Sequence, residues 1–298
     1  MMQPEAIAWV DEAVDTKGRK VLAPPGLQIP GVRMFGYHST AHAIAALQRH
    51  YHKDCFEFTF LIQGNVRFRA ADRIYPLSGG DLFFTLPDEV HDTASAPMSL
   101  HQMYWFQLDA SNAAQFLYMA PSAAQELIGR LRALPSRVVR MDVEEATALL
   151  SAVFSYFHSA DAMRRMQGAQ LLGFFLYRVL ECSESVDVRI TPDIGLAVSY
   201  IMDHLAEELP LETLSRQAML SLPRFKQKFK AQMGVSPRNF INSQKVELAR
   251  QLLLEGCSVT ETAMELGFSS SNYFSSVFRR YTAVSPTQFL TASGKDGT

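Results

Sequence analysis

The sequence predicts an α+β fold in which a small β-barrel with flanking helices precedes an all-helical domain. Residues 32–108 contain short stretches rich in β-branched and aromatic residues, whereas residues 111–183 and 191–290 repeat their apolar residues at helical spacing. The chain of 298 residues is long enough for two domains that each bury a core. Its 48% hydrophobic and 19% charged residues are typical of a globular protein and argue against a disordered class.

The cysteines and the first residues indicate a reducing compartment. Cys55, Cys182 and Cys257 have no CxxC pairing or metal-ligand spacing, which predicts lone thiols. The opening stretch MMQPEAIAWVDEAVD is acidic and lacks the basic and apolar regions of a secretory signal. The longest apolar run, near Leu171–Tyr177, is far too short to cross a membrane. We therefore expect a cytoplasmic protein without membrane contact.

The N-terminal half has the pattern of a small β-domain. Residues 1–30 are a predicted N-terminal extension, and the Pro- and Gly-rich stretch 21–35 is typical of an extended entry segment. Strands are predicted in FEFTFLIQ, NVRFRA, RIYPL, DLFFTL and LHQMYWFQL, with turns at Gln63-Gly64-Asn65 and Ser78-Gly79-Gly80. Strands at even spacing without intervening helices predict a small barrel or jelly roll.

Histidine, glutamate and aromatic residues in this region form a candidate ligand site. Two histidines share one strand face, a glutamate opens the next strand, and a third histidine follows DLFFTLPDEV. Such a set could hold a divalent transition metal, or line a pocket in which aromatic rings stack on an organic ligand. Both interpretations remain open, and no other cofactor is expected. The candidate residues are His50, His52, Glu57, His91, Tyr104 and Trp105, of which the first four are also the candidate metal ligands.

Residues 111–183 change to a helical period and carry two apolar stripes. One stripe comprises Leu149, Leu150, Val153, Phe154 and Phe157, and the other comprises Leu171, Leu172, Phe175, Leu176, Val179 and Leu180. This is more apolar surface than the flank of one barrel needs, which favours an interface between subunits. Packing of the same stripes against their own barrel is the alternative. The polar stretch SESVDVRI that follows is a predicted interdomain linker.

The C-terminal third contains an internal duplication. Shifting the chain by forty-nine residues aligns nine identical residues in one short window, among them Phe225 with Phe274, Phe229 with Phe278, and Ser236-Pro237 with Ser285-Pro286. The same shift aligns Glu212 with Glu261 and Thr213 with Thr262. Each copy has two short helices around a turn, which is the pattern of a helix-turn-helix.

Helix-capping residues set the predicted boundaries in this region. Helices are predicted from Thr191 to Leu209, over Leu211–Met219 and Leu222–Met233, and over Pro237–Glu255, where Gly256 ends the helix. Ser258 to Glu261 form a predicted capping box that starts the second unit. The connecting helix of about eighteen residues spans roughly 27 Å, which could place two second helices about one DNA turn apart.

The outward faces of the two second helices are candidate DNA-reading surfaces. The paired phenylalanines pack inward, so polar and basic neighbours face outward, within a strongly basic stretch from Arg216 to Arg250. Gln227 and Asn272 could pair with adenine and Lys226 could reach guanine, whereas arginines suit phosphate contacts. The candidates are Pro223, Arg224, Lys226, Gln227, Lys230, Arg238, Ser271, Asn272, Ser275, Ser276, Arg279 and Arg280.

Residues 193–290 resemble the DNA-binding domain of the AraC/XylS family of bacterial transcription regulators, most specifically in LGFSSSNYFSSVFRRYTAVSPTQF. Two positions depart from the family pattern, Met219 at a usual glycine and Thr262 at a usual large aliphatic residue. Residues 30–110 resemble the cupin superfamily in the spacing of His50, His52, Glu57 and Gly64. The second cupin motif, Pro87-Asp88-Glu89-Val90-His91, lacks its glycine.

The resemblance implies a ligand-responsive, sequence-specific DNA-binding transcription regulator that is not an enzyme. It implies a DNA operator, a sugar or other small organic effector in the barrel, a homodimer, and RNA polymerase as a partner of an activator. The alternative is a metal-dependent cupin enzyme fused to a DNA-binding domain, although no acid–base constellation accompanies the His/Glu set. The implied domains are a sensing and dimerisation domain at 31–183, a linker at 184–192 and a DNA-binding domain at 193–298.

Overall fold

The computed structural model describes residues 6–94, 96–184 and 190–293. The chain divides into two compact units at Asp187/Val188, and the second unit also includes Ala41–Ala45 and Pro97–Leu100. The division falls within the predicted linker, whose residues 185–189 lie outside the described ranges. The first unit is rich in β-structure and the second is helical, so the predicted α+β fold is confirmed.

The first unit contains two sheets that share one long strand. All strand pairs are antiparallel except β1 with β5. Its strands are β1 (Ile7–Ala8), β2 (Val14–Asp15), β3 (Arg19–Leu22), β4 (Val32–Thr40), β5 (His50–Tyr51), β6 (Cys55–Ala70), β7 (Arg73–Ser78), β8 (Asp81–Thr85), β9 (His91–Asp92), β10 (His101–Asp109) and β11 (Val138–Arg140). One sheet contains β1, β5, β9, β7 and the end of β6, and the other contains β2, β3, β4, β10, β8, β11 and the start of β6.

Strand β6 runs straight through the position where a turn was predicted. Its first part pairs with β10, and from Asn65 onward it pairs with β7. The turn prediction at Gln63-Gly64-Asn65 is therefore wrong. Gly64 has a positive φ of 110° beside a register shift against β10, so the glycine accommodates an irregularity that redirects the strand into the second sheet. The predicted turn after Ser78 is confirmed.

Three helices cover the first unit and complete its core. They are α1 (Pro121–Arg132), α2 (Val143–Phe157) and α3 (Ala162–Glu184), preceded by a 3₁₀ turn at Ala113–Gln115. Leu172, Phe175, Leu176 and Val179 of α3 are fully buried within the single chain and belong to one cluster with Phe106. The stripe predicted as an interface is therefore core, because α3 packs it against the barrel and α2.

Among its described residues, the second unit contains seven helices. They are α4 (Pro192–Asp203), α5 (Leu211–Gln217), α6 (Leu222–Met233), α7 (Pro237–Glu255), α8 (Val259–Glu265), α9 (Ser271–Thr282) and α10 (Pro286–Ala292). Helix α7 ends at the left-handed Gly256 and a capping box begins α8 at Ser258, as local sequence predicts. A second capping box begins α10 at Ser285. Among the described residues, no helix is long and apolar enough to cross a membrane.

Helix α4 is shorter than predicted. It ends at Asp203, and the following residues form turns up to Pro210. The carbonyl of Glu207 accepts a hydrogen bond of 2.7 Å from Lys245 Nζ on α7. The prediction of a helix to Leu209 is therefore wrong. The His204 ring lies 2.8 Å from the Tyr200 carbonyl that the next helical N–H would use, and the His204 N–H donates to Ile201 instead.

The two helix-turn-helix units differ by one residue in their turns. Helices α5 and α8 start forty-eight residues apart, whereas α6 and α9 start forty-nine apart. The predicted pairing of Glu212 with Glu261 is therefore off by one along the first helix. In the corrected register, Thr262 replaces the buried Leu214, and its buried hydroxyl lacks a hydrogen-bond partner. Met219 replaces Gly267, and both have a left-handed backbone, with φ of 53° and 63°.

Candidate nucleic-acid interface and sensor site

The barrel brings the four predicted metal-ligand candidates together. His50, His52 and His91 are 5%, 2% and 1% exposed, and one ligand atom from each of them and from Glu57 lies within 4.8 Å of the others. Strand pairing explains the meeting, because His50 faces His91 across β5 and β9. We call these four residues the His/Glu cluster.

Backbone carbonyls fix the direction of all three imidazole rings. Nδ1 of His50, His52 and His91 lies 2.6, 3.1 and 3.0 Å from the carbonyl oxygens of Gln48, Trp9 and Glu89. A carbonyl oxygen can only accept, so each Nδ1 carries a proton and each Nε2 is directed away from it. The Nε2 atoms of His52 and His91 lie 2.7 and 3.4 Å from the Glu57 carboxylate, and a ligand atom of His50 lies within 4.8 Å of those of the other three residues.

The charges within the His/Glu cluster are unevenly partnered. Burial lowers the pKa of His50 to about 4, with His91 adding to the effect. Burial also opposes charge on His52, but Glu57 Oε2 at 2.7 Å outweighs it, and the pKa of His52 is raised. Burial would raise the pKa of Glu57, yet the charge of His52 and its hydrogen bond hold that pKa well below its usual range. His91 Nε2 lies 3.4 Å from Glu57 Oε1 and makes no hydrogen bond.

These residues fit a divalent transition metal. Imidazole nitrogen and carboxylate oxygen suit such ions, and a neutral imidazole whose other nitrogen bonds a carbonyl is the usual state of a histidine ligand. The Nε2 atom of His91 is buried and has no hydrogen-bond partner, and a cation could accept its lone pair. A cation would take the place of the proton between His52 and Glu57. With a charge of +2 it would more than neutralise the single negative charge of the Glu57 carboxylate.

Sequence reasoning missed three neighbours of the His/Glu cluster. Gln107 is buried, and its amide donates to Glu57 Oε2 at 3.1 Å. Trp9 supplies the carbonyl to His52, and its ring lies 5.7 Å from that of His50. Asp11, whose pKa is raised by burial and by Glu57, lies close enough to influence His52. Strict alternation along β10 would have placed Gln107 inside, but nothing local links residues 9 and 11 to His50 and His52.

The two aromatic candidates lie on opposite faces of β10. Trp105 shares the face of Gln107 and packs with Val21, Ala23 and Met34. Tyr104 points to the core beneath the helices, where its ring centroid is 6.4 Å from that of Phe154. The structure therefore places Trp105, but not Tyr104, on the face that carries Gln107 and faces Glu57 of the cluster.

The outward face of each second helix is polar, as the sequence predicts. Phe225, Phe229, Phe274 and Phe278 are fully buried. The twelve predicted DNA-reading residues lie at the surface of the second unit, with Ser271 and Ser275 half-buried and the others exposed. Arg224 donates to Gln227 Oε1 at 3.3 Å, which orients that amide. Tyr273 is 49% exposed beside Asn272 and is an additional candidate.

The basic residues do not all face outward. A cavity of about 460 Å³ between α6 and the start of α7 is lined by Lys226, Lys230 and Arg238, which concentrates positive charge at the surface. Lys245 is instead buried and donates to two backbone carbonyls, and its pKa is lowered by burial. Its inclusion in a phosphate-facing stretch is therefore a wrong prediction.

Residues at the start of α4 hold the recognition helix α6. The backbone N–H of Thr191 donates to Gln232 Oε1 at 3.0 Å, and the Gln232 amide donates to the Thr191 hydroxyl at 3.0 Å. Lys228 Nζ donates to Asp193 at 2.7 Å, which lowers the pKa of that carboxyl to about 2. We call Thr191, Asp193, Lys228 and Gln232 the α4–α6 clamp.

Two known families account for most of the chain. Residues 32–172 match the family described as an AraC-like ligand binding domain, and residues 214–292 match a helix-turn-helix domain. The first match covers strands β4 to β11 with α1, α2 and part of α3, and the second extends from within α5 to the end of α10.

Relatives of known role resemble the chain over most of its length. It is 27% identical over 291 residues to the HTH-type transcriptional activator RhaS of Shigella dysenteriae serotype 1 (strain Sd197), covering 90% of this chain and 98% of that protein. It is 27% identical over 238 residues to the thermoregulatory protein LcrF of Yersinia pestis, covering 76% and 86%. Among solved structures, the DNA-binding domain of AdpA with its target DNA is 31% identical, covering 34% and 91%, with a TM-score of 0.33.

Proposed function

This chain belongs to the AraC/XylS family of transcription regulators, and from that premise we propose that α6 and α9 read two adjacent segments of one operator while the barrel binds an effector. It is a DNA-binding regulator with a ligand-binding domain and not an enzyme, since its relatives are transcriptional activators. The observation that carries the proposal is the repetition of one polar, outward-facing helix in two linked units.

We propose that Gln227 and Asn272 make base contacts. Both side chains are exposed on the faces opposite the buried phenylalanines, where a major groove would meet them. An amide offers a donor and an acceptor side by side, which matches the N6 and N7 positions of adenine. The remaining polar residues of these faces lie close enough to add to the readout.

Arginine and lysine residues around these faces are the proposed phosphate contacts. Arg279 is exposed in the last turn of α9, and Lys226, Lys230 and Arg238 line the basic cavity beside α6. Phosphate contacts set the register of a protein on DNA without distinguishing its sequence. They also make affinity strongly dependent on salt.

Alanine substitutions should separate the two kinds of contact. Gln227→Ala or Asn272→Ala should cost about 1–3 kcal/mol of binding and relax preference at a single base pair. Arg279→Ala should weaken binding to all sequences and reduce the salt slope by about one unit. Selection of operators from randomised DNA, followed by titration at several salt concentrations, measures both effects, with Arg130→Ala in α1 as a control for lost charge. Unchanged base preference in both amide variants would refute the assignment.

For the effector, the inner face of the barrel is the proposed site. A sugar or other small organic molecule is one candidate class, since buried polar groups and the ring of Trp105 share this part of the barrel. A divalent metal ion is the second, and the direction of the three Nε2 atoms favours it. The two classes require different occupants of the same His/Glu cluster, so one measurement of metal content separates them.

A homodimer is also part of the proposal, through a different face of α3 from the buried stripe. Met163, Met166, Phe174 and Tyr177 are 58%, 36%, 50% and 43% exposed and recur at helical spacing. Four large apolar side chains on one exposed helix face form the kind of patch that marks an interface.

Charges placed on this exposed face should produce a folded monomer. Phe174→Glu with Tyr177→Glu would bury two unpaired carboxylates in the proposed interface, which costs several kcal/mol. Light scattering should show half the mass of the unmodified protein, with an unchanged circular dichroism spectrum. Gln125→Glu, on the exposed side of α1, is the matched control and should leave the mass unaltered. An unchanged mass in the double variant would exclude this face.

A further inference from the structure

The two helix-turn-helix units are joined by more than the connecting helix α7. Lys245 lies within α7 and is 5% exposed, and its Nζ donates to the carbonyl oxygens of Glu207 and Leu266, each at 2.7 Å. Glu207 belongs to the segment that leads into α5, and Leu266 caps the end of α8. One ammonium group therefore bonds the main chain of both units.

A glycine in the second helix-turn-helix unit completes this junction. A Cβ atom on Gly267 would lie 2.9 Å from the carbonyl carbon of Glu207 and 3.1 Å from the backbone nitrogen of Glu208. The ring of Phe268, the next residue, has its centroid 5.4 Å from Lys245 Nζ. The turn of the second helix-turn-helix unit thus approaches the backbone of the first helix-turn-helix unit as closely as a glycine permits.

We infer that Lys245 is a positioning residue that fixes the separation and rotation of α6 and α9, and through them the spacing of the two DNA segments that one chain can read. Helix α7 fixes the distance along its own axis, and each helix-turn-helix unit packs apolar side chains on it, the first on Phe240 and Ile241 and the second on Val246 and Leu253. Apolar contacts are non-directional, so they define the rotation about that axis less sharply than hydrogen bonds do. The bonds from Lys245 act at the segment that precedes α5 and at the turn that precedes α9, where such a rotation would begin. The inference rests on the proposed reading of DNA by both helices.

Operator spacing is the property that such a junction controls. Inserting one base pair between the two segments moves the second by about 3.4 Å along the DNA and about 34° around it. A pair of helices held rigidly cannot follow this displacement, so one of them loses its base contacts. A pair held by α7 and its non-directional apolar contacts alone could rotate further to follow it.

The test compares operators of different spacing, using the full-length protein. An operator selected for the unmodified protein is lengthened or shortened by one base pair between its two segments. We expect the unmodified protein to lose about tenfold or more in affinity on both altered operators, the loss that one abolished set of base contacts produces. Lys245→Met keeps the length of the side chain without its donors. In this variant the ratio of the affinity for the selected operator to the affinity for an altered operator should fall below about threefold.

Two variants serve as controls. Lys245→Arg keeps a charged donor and should retain most of the spacing preference. Arg250→Met removes one positive charge from the same helix. The guanidinium of Arg250 lies 5.5 Å from the ring of Phe289, within the second helix-turn-helix unit, so this variant should leave the affinity ratio unchanged. Affinity ratios between operators cancel any loss of active protein, so a purely structural role would lower the melting temperature without moving the ratio.

Each outcome decides the inference. An unchanged ratio in folded Lys245→Met overturns it, whatever happens to stability. If that variant does not fold, Lys245→Gln is measured at lower temperature, and a retained ratio there overturns the inference equally. A protein that binds its operator specifically but tolerates all three spacings also overturns it, whereas loss of sequence-specific binding by the unmodified protein would instead refute the proposed reading of DNA.

Discussion

Replacing Gly267 with alanine should lower the free energy of unfolding of the helical second unit of the chain, which contains both helix-turn-helix units, by about 3 kcal/mol. About 1 kcal/mol or more is expected because an L-residue must adopt φ of +63°, and the rest because its Cβ would press on the backbone of Glu207. Backbone atoms cannot swing aside as a flexible side chain can. Differential scanning calorimetry should show the transition of this unit lower by roughly 12 °C or more. Trp9 and Trp105 both lie in the first unit, so tryptophan fluorescence should report an unchanged transition there.

The first helix-turn-helix unit supplies a matched control for this experiment. Met219 occupies the place of Gly267 in its own turn, with φ of +53°, but is 82% exposed. Met219→Gly relieves the left-handed strain without removing a packed side chain, so it should stabilise the unit by roughly 0.5–1 kcal/mol. Opposite signs at two equivalent positions would separate backbone strain from packing. A Gly267→Ala variant as stable as the unmodified protein would show that the two turns do not press on one another.

Removing a metal ion from the His/Glu cluster should lower the melting temperature of the first unit. Protein purified without a histidine tag should carry about one divalent transition metal ion per chain, measured by elemental analysis. A chelator should then lower the melting temperature of the first unit, because an ion present at a thousand times its Kd stabilises the folded state by about 4 kcal/mol. His91→Ala should abolish the metal content and make the melting temperature insensitive to the chelator.

A surface histidine provides the control for metal content. His158 is exposed at the end of α2, and His158→Ala should keep both the metal and the response to chelator. Absence of stoichiometric metal, together with a melting temperature raised by a sugar, would assign the His/Glu cluster to an organic effector. DNA affinity in the absence of effector is expected to be similar in both variants, because the proposed DNA contacts lie in the other unit.

Local sequence was sufficient where capping residues determine an element. Helices α6 and α7 begin and end at their predicted residues because proline and left-handed glycine act within one turn of the chain. The presence of His50, His52, Glu57 and His91 in one site was also predictable, since strand alternation and short connections limit where their side chains can go.

Features that depend on distant partners could not be read from the sequence. A glycine between two apolar stretches is compatible with a turn or with an irregularity inside one strand, and at Gly64 the pairing of β6 with β10 and β7 decides. Lys245 looked like a surface cation because its carbonyl partners are 38 and 21 residues away. The direction of each imidazole likewise depends on carbonyls, one of which belongs to Trp9 near the start of the chain.

The α4–α6 clamp determines where the DNA-binding domain can be cut from the rest of the chain. A fragment that starts at Asp193 keeps the ion pair with Lys228 but discards Thr191, and with it the bonds to Gln232. Gln232 lies in the recognition helix itself, so a truncation at the first residues of α4 would remove support from the surface proposed to meet DNA. The side chain of residue 191, rather than the first turn of a helix, therefore marks the N-terminal limit of a minimal DNA-binding fragment.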